Sequence, residues 1–317
     1  MADIYEQIYE EAQKINDRNL RDIVSTYAKS YSQISKVLKQ NLNYKNNPMF
    51  TKVSQYMLDK YVADSFAELV MDLQRKVPQG VETAMTIAYA EALLSKYIKD
   101  DLKNISLEQL MRDTPRILKN GNIVTQLKEV TMKDLLQATH NTEYAVKKLI
   151  RETFTKHLTI DTMIQRGQKE IADKLIKELS GYKLDSLVHS NMTGIVDRAG
   201  RRWNVDTYMD MAVKTKFHQA HVAGVQQFVE DYDGHGDLAR IPRNHLTNDA
   251  CKPFEGLIIS MTGKTEGYKT YDELKATSLI FHPRCRHNPK PYWDEESIPR
   301  TTMATHKRLN KKVNKFL

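Results

Sequence analysis

The sequence predicts a mainly α protein: a long helical N-terminal region, then a small α+β module and a basic tail. Three observations lead there. Apolar residues in the first two-thirds recur at helical spacing. Glycine is scarce in that part, with only Gly80 and Gly121 before Gly167. After Gly234 the texture changes to short β-prone pieces separated by Gly and Pro. The expected division is 1–195 helical, 196–297 an α+β module and 298–317 a flexible basic tail.

The first helix is expected from about Asp3 to Leu42. Ile8, Ile15, Leu20, Ile23, Tyr27, Ile34 and Leu38 lie three, four or seven apart, with one step of five, as one helical face requires. Asn46-Asn47-Pro48 ends it. A second helix is expected over about Phe50 to Lys76, and Val77-Pro78-Gln79-Gly80 is read as its break. A third covers about Val81 to Lys99. Ser106, three residues before Gln109, has capping-box spacing for a short helix. Asn120-Gly121-Asn122 is a turn, and Thr131 to His157 is helical again. Asp161 caps a further helix that Ser180-Gly181 closes.

Composition shifts near Ser190. Asn204 is placed to cap a long helix whose stripe is Met209, Val213, Phe217, Ala220, Gly224 and Phe228, ending near Asp231 to Gly234. Strands are expected in Ala239-Arg240-Ile241, Gly256 to Ser260 and Ser278 to Phe281. The tyrosines of the helical region are expected to pack at helix borders.

The chain has 317 residues, 40% of them hydrophobic and 28% charged, which suits a helix-rich protein with much solvated or partner-covered surface. A net charge of +8 favours nucleic acid or acidic protein surfaces as partners, and serves solubility alone equally well. The start, Met1-Ala2-Asp3-Ile4-Tyr5-Glu6, is acidic and lacks the pattern of a secretory signal, and no apolar run reaches the length of a bilayer span. A cytoplasmic protein is expected, unless a larger particle carries it out.

The sharpest cluster is His245, Asp249, Cys251, His282, Cys285 and His287. Cysteine and histidine are the side chains of zinc sites. A structural zinc held by Cys251, Cys285 and His287 with His245 or His282 would tie two loops of a module too small for a large core. Reduced thiols packed as small apolar groups, or a disulfide, stay open as alternatives. No second Cys completes a C-x-x-C pair, since Phe254 stands there. Gly256 and Gly263 are too far apart for a Walker loop, so Gly263-Lys264-Thr265 is read as a turn. His218 and His221 share a helix side, without the Glu of a zinc-protease helix. No catalytic residue emerges. Arg198, Arg201 and Arg202 around Trp203, and Lys307, Arg308, Lys311, Lys312 and Lys315 in the acid-free tail, are candidate contacts to nucleic acid or an acidic partner.

Several of these residues form an ordered resemblance. Asp197-Arg198-Ala199-Gly200-Arg201-Arg202-Trp203, Tyr208-Met209 and Val213-Lys214-Thr215 are similar to the opening of the phage minor capsid protein 2 motif region. Cys251-Lys252-Pro253-Phe254-Glu255-Gly256 resembles that family's Cys-Ala-Pro-Trp-Gln-Gly. Phe281-His282-Pro283-Arg284-Cys285-Arg286-His287 with Pro291-Tyr292 resembles its closing His-Pro-Asn-Cys-Arg-His and Pro-Tyr. The departures are Phe254 for Trp, Glu255 for Gln and Arg284 for Asn. The head-morphogenesis class typified by phage Mu protein F ends similarly.

The resemblance implies a non-enzymatic minor capsid protein of the virion, made in the host cytoplasm. It implies association with the portal and with other capsid or scaffold proteins during procapsid assembly, and a role near DNA packaging or ejection. The rival expectations are a metal-dependent nuclease or toxin-like enzyme, and a non-specific DNA-binding protein.

Overall fold

The computed structural model describes residues 2–41, 52–99, 106–114, 122–157, 205–243, 250–283 and 285–316. Its helices are α1 (Ala2–Asn41), α2 (Lys52–Lys99), α3 (Leu107–Asp113), α4 (Asn122–His157), α5 (Val205–Asp231), α6 (Tyr271–Ala276) and α7 (Arg300–Val313). Its strands are β1 (Leu238–Arg240), β2 (Ile258–Ser260), β3 (Lys269–Thr270) and β4 (Lys290–Pro291). The fold is mainly α, with the small sheet and α7 at the C-terminal end.

The chain divides into two units. One gathers Arg21–Val77 and Met132–Asp210, the other Met1–Leu20, Pro78–Thr131 and Met211–Leu317. The long helices α1, α2, α4 and α5 each contribute residues to both.

The first of these units is a bundle built on the helical period. Ile23, Tyr27 and Ile34 of α1, Leu58, Val62, Phe66, Leu69 and Leu73 of α2, and Leu135, Ala138, Val146 and Ile150 of α4 are buried. They recur at steps of three, four, seven or eight residues, so each helix turns one apolar stripe inward. The Tyr27 hydroxyl meets Thr139 Oγ1 at 3.1 Å. Lys76 Nζ donates to Asp22 Oδ1 and Thr26 Oγ1, and Arg151 pairs with Asp59 at 3.1 Å.

The other unit is centred on the second half of α2, which is buried from Ala84 to Ser95 on every side. A helix with no polar face belongs in the middle of a core. Gly224 of α5 comes so close to it that a Cβ there would run into the Met85 carbonyl. The sheet order is β3-β2-β1-β4. β1 is antiparallel to β2 and β4, with Ala239 opposite Ile259 and Pro291, and β2 is parallel to β3. Pro291 is tolerated because β4 is an edge strand.

Four expectations are corrected. Val77-Pro78-Gln79-Gly80 does not break the chain: α2 runs through Pro78. The proline forfeits one backbone hydrogen bond, and the complete burial of Val77 and Val81 on either side holds the helix together. α4 starts at Asn122, nine residues before the expected Thr131. Ser278 to Phe281 is no strand. Ser278 and Phe281 have φ of 58° and 56°, outside the extended region, and the turn aims Ile280 and Phe281 into the core. The flexible tail is in fact α7, with Ile298, His306 and Val313 buried. Ser106 caps α3 as expected, its Oγ accepting from the Gln109 N–H. The helix expected after Asp161 lies outside the described residues.

Candidate functional site

The strands are too short to hold themselves, and buried polar side chains brace them. Asp237, just before β1, is 2% exposed. Its carboxylate accepts from the Ser260, Thr262 and Thr265 hydroxyls and from the Thr262 and Thr265 N–H groups. Burial alone would raise its pKa, but these bonds outweigh it and hold the acid below its ordinary value. Gly263-Lys264-Thr265 is thus a turn clamped to Asp237, with Gly263 at φ 79°.

Histidines 218 and 221 of α5 brace the segment before β4. His218 Nδ1 bonds Asn288 Oδ1 at 2.8 Å and its Nε2 meets the Tyr271 hydroxyl at 3.2 Å. His221 Nε2 donates to the Pro289 carbonyl at 3.1 Å. Burial pushes both imidazoles down to about 4, so they are neutral struts at pH 7.

This bracing delivers the Cys/His cluster. Cys251 leads into the 3-10 turn Lys252–Phe254, and Cys285 and His287 precede β4. Cys251, Cys285 and His287 are buried, and their ligand atoms all lie within 4.8 Å of one another. His282 Nε2 meets Cys251 Sγ at 3.1 Å. His287 Nδ1 faces Cys285 Sγ at 3.5 Å, while its Nε2 bonds Glu255 Oε1 at 3.1 Å. Burial would push the Cys285 thiol up, but His287 outweighs this and holds it below its ordinary value. His287 is correspondingly raised: burial works against its charge, and Cys285 and Glu255 overcome it. Cys251 and Cys285 are not joined in a disulfide.

Three of the five expected metal-site residues, Cys251, Cys285 and His287, therefore converge, and a fourth, His282, adjoins Cys251. His245 and Asp249 lie outside the described residues. Glu255 is the participant the sequence did not single out. It lies four residues after Cys251, and its only signal was its place inside the Cys-to-Gly motif segment. The row Cys285–His287–Glu255 is spaced like a nucleophile, base and orienting acid. Cys285 is only 7% and His287 only 2% exposed, so a substrate has little access to the row.

The candidate contact residues fall into two groups. Arg198, Arg201 and Arg202 lie outside the described residues. Lys307, Arg308, Lys311, Lys312 and Lys315 are all exposed, on α7 and the turn after it. Steps of one and four residues place them on one side of the helix. The opposite side is anchored: His306 Nδ1 accepts the Ile258 N–H at 3.1 Å, and Leu309 and Val313 join the main core. Among the described residues, no helix is long and apolar enough to cross a membrane.

No curated protein and no solved structure matches the chain. A family model does, from residue 16 to 315, and so takes in the helices as well as the Cys/His module. The chain belongs to the phage minor capsid protein 2 family.

Proposed function

We propose that this minor capsid protein associates with the portal during head assembly and turns the basic face of α7 toward packaged DNA. The observation that carries the DNA contact is that face. Five cations are exposed, Lys307, Arg308, Lys311 and Lys312 on one side of α7 and Lys315 in the turn after it, and the helix is fixed to the module by His306, Leu309 and Val313. A rigid row of cations follows a phosphate backbone without ordering a loose tail on binding, so less entropy opposes the contact. The portal part rests on family membership, which makes other phage structural proteins the partners.

Two measurements test the reading. Co-expression with the portal and scaffold of the same head-gene cluster is expected to yield particles containing the chain. Its absence from particles that otherwise assemble would sink the portal assignment. Binding to a duplex of arbitrary sequence is expected to weaken steeply with salt. Converting the five cations to Glu is expected to flatten the log–log salt slope by about 0.9 for each phosphate the variant no longer neutralises. An unchanged slope would remove α7 from the DNA interface.

A further inference from the structure

We infer that Cys251, His282, Cys285 and His287 form a structural zinc site, with Glu255 as the outer carboxylate that orients His287. The site stands independently of the portal and DNA assignments.

A tetrahedral zinc with thiolate and imidazole ligands separates neighbouring ligand atoms by about 3.5 Å, given metal bonds of about 2.0–2.3 Å. The two sulfur–nitrogen pairs stand at 3.1 and 3.5 Å. Both sulfurs and His287 lie within 4.8 Å of one another. His282, only part-buried, is the ligand with freedom to adjust.

The histidine tautomers fit as well. A carbonyl or carboxylate oxygen only accepts, so the ring nitrogen facing it carries the proton. His282 Nδ1 faces the Pro283 carbonyl at 2.8 Å, which leaves the lone pair on Nε2, toward Cys251. His287 Nε2 faces Glu255, and its neutral form keeps the lone pair on Nδ1, toward Cys285. Each histidine thus has one nitrogen anchored to oxygen and the other aimed at a thiol. Metal-ligating histidines are oriented in this way by a carbonyl or a carboxylate behind them.

Charge favours the same assignment. Binding Zn²⁺ displaces one proton from each thiol, and the resulting two-thiolate, two-imidazole centre is neutral. A neutral centre suits this place, because Cys251 and Cys285 belong to the main apolar core with Phe254, Ile280 and Phe281. The alternative use of the same residues is catalytic, and it leaves Cys251 and His282 without a role. The zinc staples the loop before the 3-10 turn to the segment before β4. Coordination would thereby supply folding free energy to a sheet whose strands are two or three residues long.

The test uses full-length protein purified under reducing conditions with zinc present. About one zinc per chain is expected, and its removal by a chelator is expected to lower the melting temperature. Cobalt in place of zinc is expected to give the intense visible bands of a tetrahedral, thiolate-bound ion, absent in Cys285→Ser. Should Cys285→Ser not fold, Glu255→Ala decides. It keeps all four ligands and is expected to bind zinc about 10–100-fold more weakly, with Glu255→Gln, which retains an acceptor, closer to wild type. Zinc below about a tenth of an equivalent after refolding with the metal would overturn the site. So would a Cys251–Cys285 disulfide in the reduced preparation, or unchanged affinity in Glu255→Ala.

Discussion

The two units solve the same problem by different means. In the bundle of Arg21–Val77 and Met132–Asp210, long helices satisfy their own backbones. What remains is to bury apolar stripes such as Phe66, Leu69 and Leu73. Its polar cross-links include Tyr27 to Thr139 and Lys76 to Asp22 and Thr26. In the other unit, two- and three-residue strands make few ladder bonds, and the backbone between them needs partners. Asp237, His221 and His306 supply these from side chains, and His218 ties Asn288 to Tyr271 through theirs. Polar residues inside a short-stranded module therefore act as scaffold, whereas inside a long-helix bundle they trim the core.

The largest expected effect follows from Asp237. Asp237→Asn puts an amide N–H₂ where one carboxylate oxygen accepts two or three bonds, leaving buried donors facing a donor. A loss of about 3 kcal/mol is expected in urea denaturation. Faster amide exchange should concentrate at residues 260–265. The folded pKa of Asp237 lies below its unfolded one, so this contribution is present near neutrality and lost as pH falls through the folded value. A loss below about 0.5 kcal/mol would break the contrast between the units.

The contrast also explains what the sequence made legible. α1 was readable because Ile8, Ile23, Tyr27 and Ile34 keep a helical period over 40 residues. Pro78 misled because a proline's local cost is visible, while the burial of Val77 and Val81 that offsets it is tertiary. In the tail the acid-free run hid an inward face of His306, Leu309 and Val313, one member of which is a histidine. Cys251, His282, Cys285 and His287 were legible as chemistry by residue type. Asp237 and Glu255 were not, because a lone carboxylate carries no spacing and takes its role from the donors the fold brings to it.

The next effect is a pH dependence. Glu91, in the fully buried half of α2, is 1% exposed, and neither carboxylate oxygen has a hydrogen-bond partner among the described residues. His221 Nε2 stands 3.8 Å away. Burial pushes Glu91 up to about 8, and the charge of Lys290 offsets this only in part. Between about 4.5 and about 8 the native chain holds a proton that the unfolded chain has released, so stability falls as pH rises and levels off above 8. His218 and His221 act at the acid end: pushed down to about 4, they lower stability as pH drops below about 6.5. Glu91→Gln is expected to remove most of the decline between about pH 4.5 and about pH 8 and to spare the loss caused by His218 and His221. Melting curves from pH 4 to pH 9 check this, and an unaltered decline up to about pH 8 would show Glu91 ionised in the native state.

The smallest effect sharpens the comparison from the bundle side. Thr139 Oγ1 donates to the Leu135 carbonyl at 2.8 Å, so in its contact with Tyr27 it is the acceptor. Tyr27→Phe removes the donor and leaves Thr139 with one unused lone pair and its own donor still satisfied. Hydroxyl burial is relieved at the same time. The expected cost is about 1 kcal/mol or less in urea denaturation, with the ring's apolar burial intact. A cost equal to that of Asp237→Asn would mean that the bundle too depends on its buried polar groups. A near-zero cost would fix its stability in the apolar stripes of α1, α2 and α4.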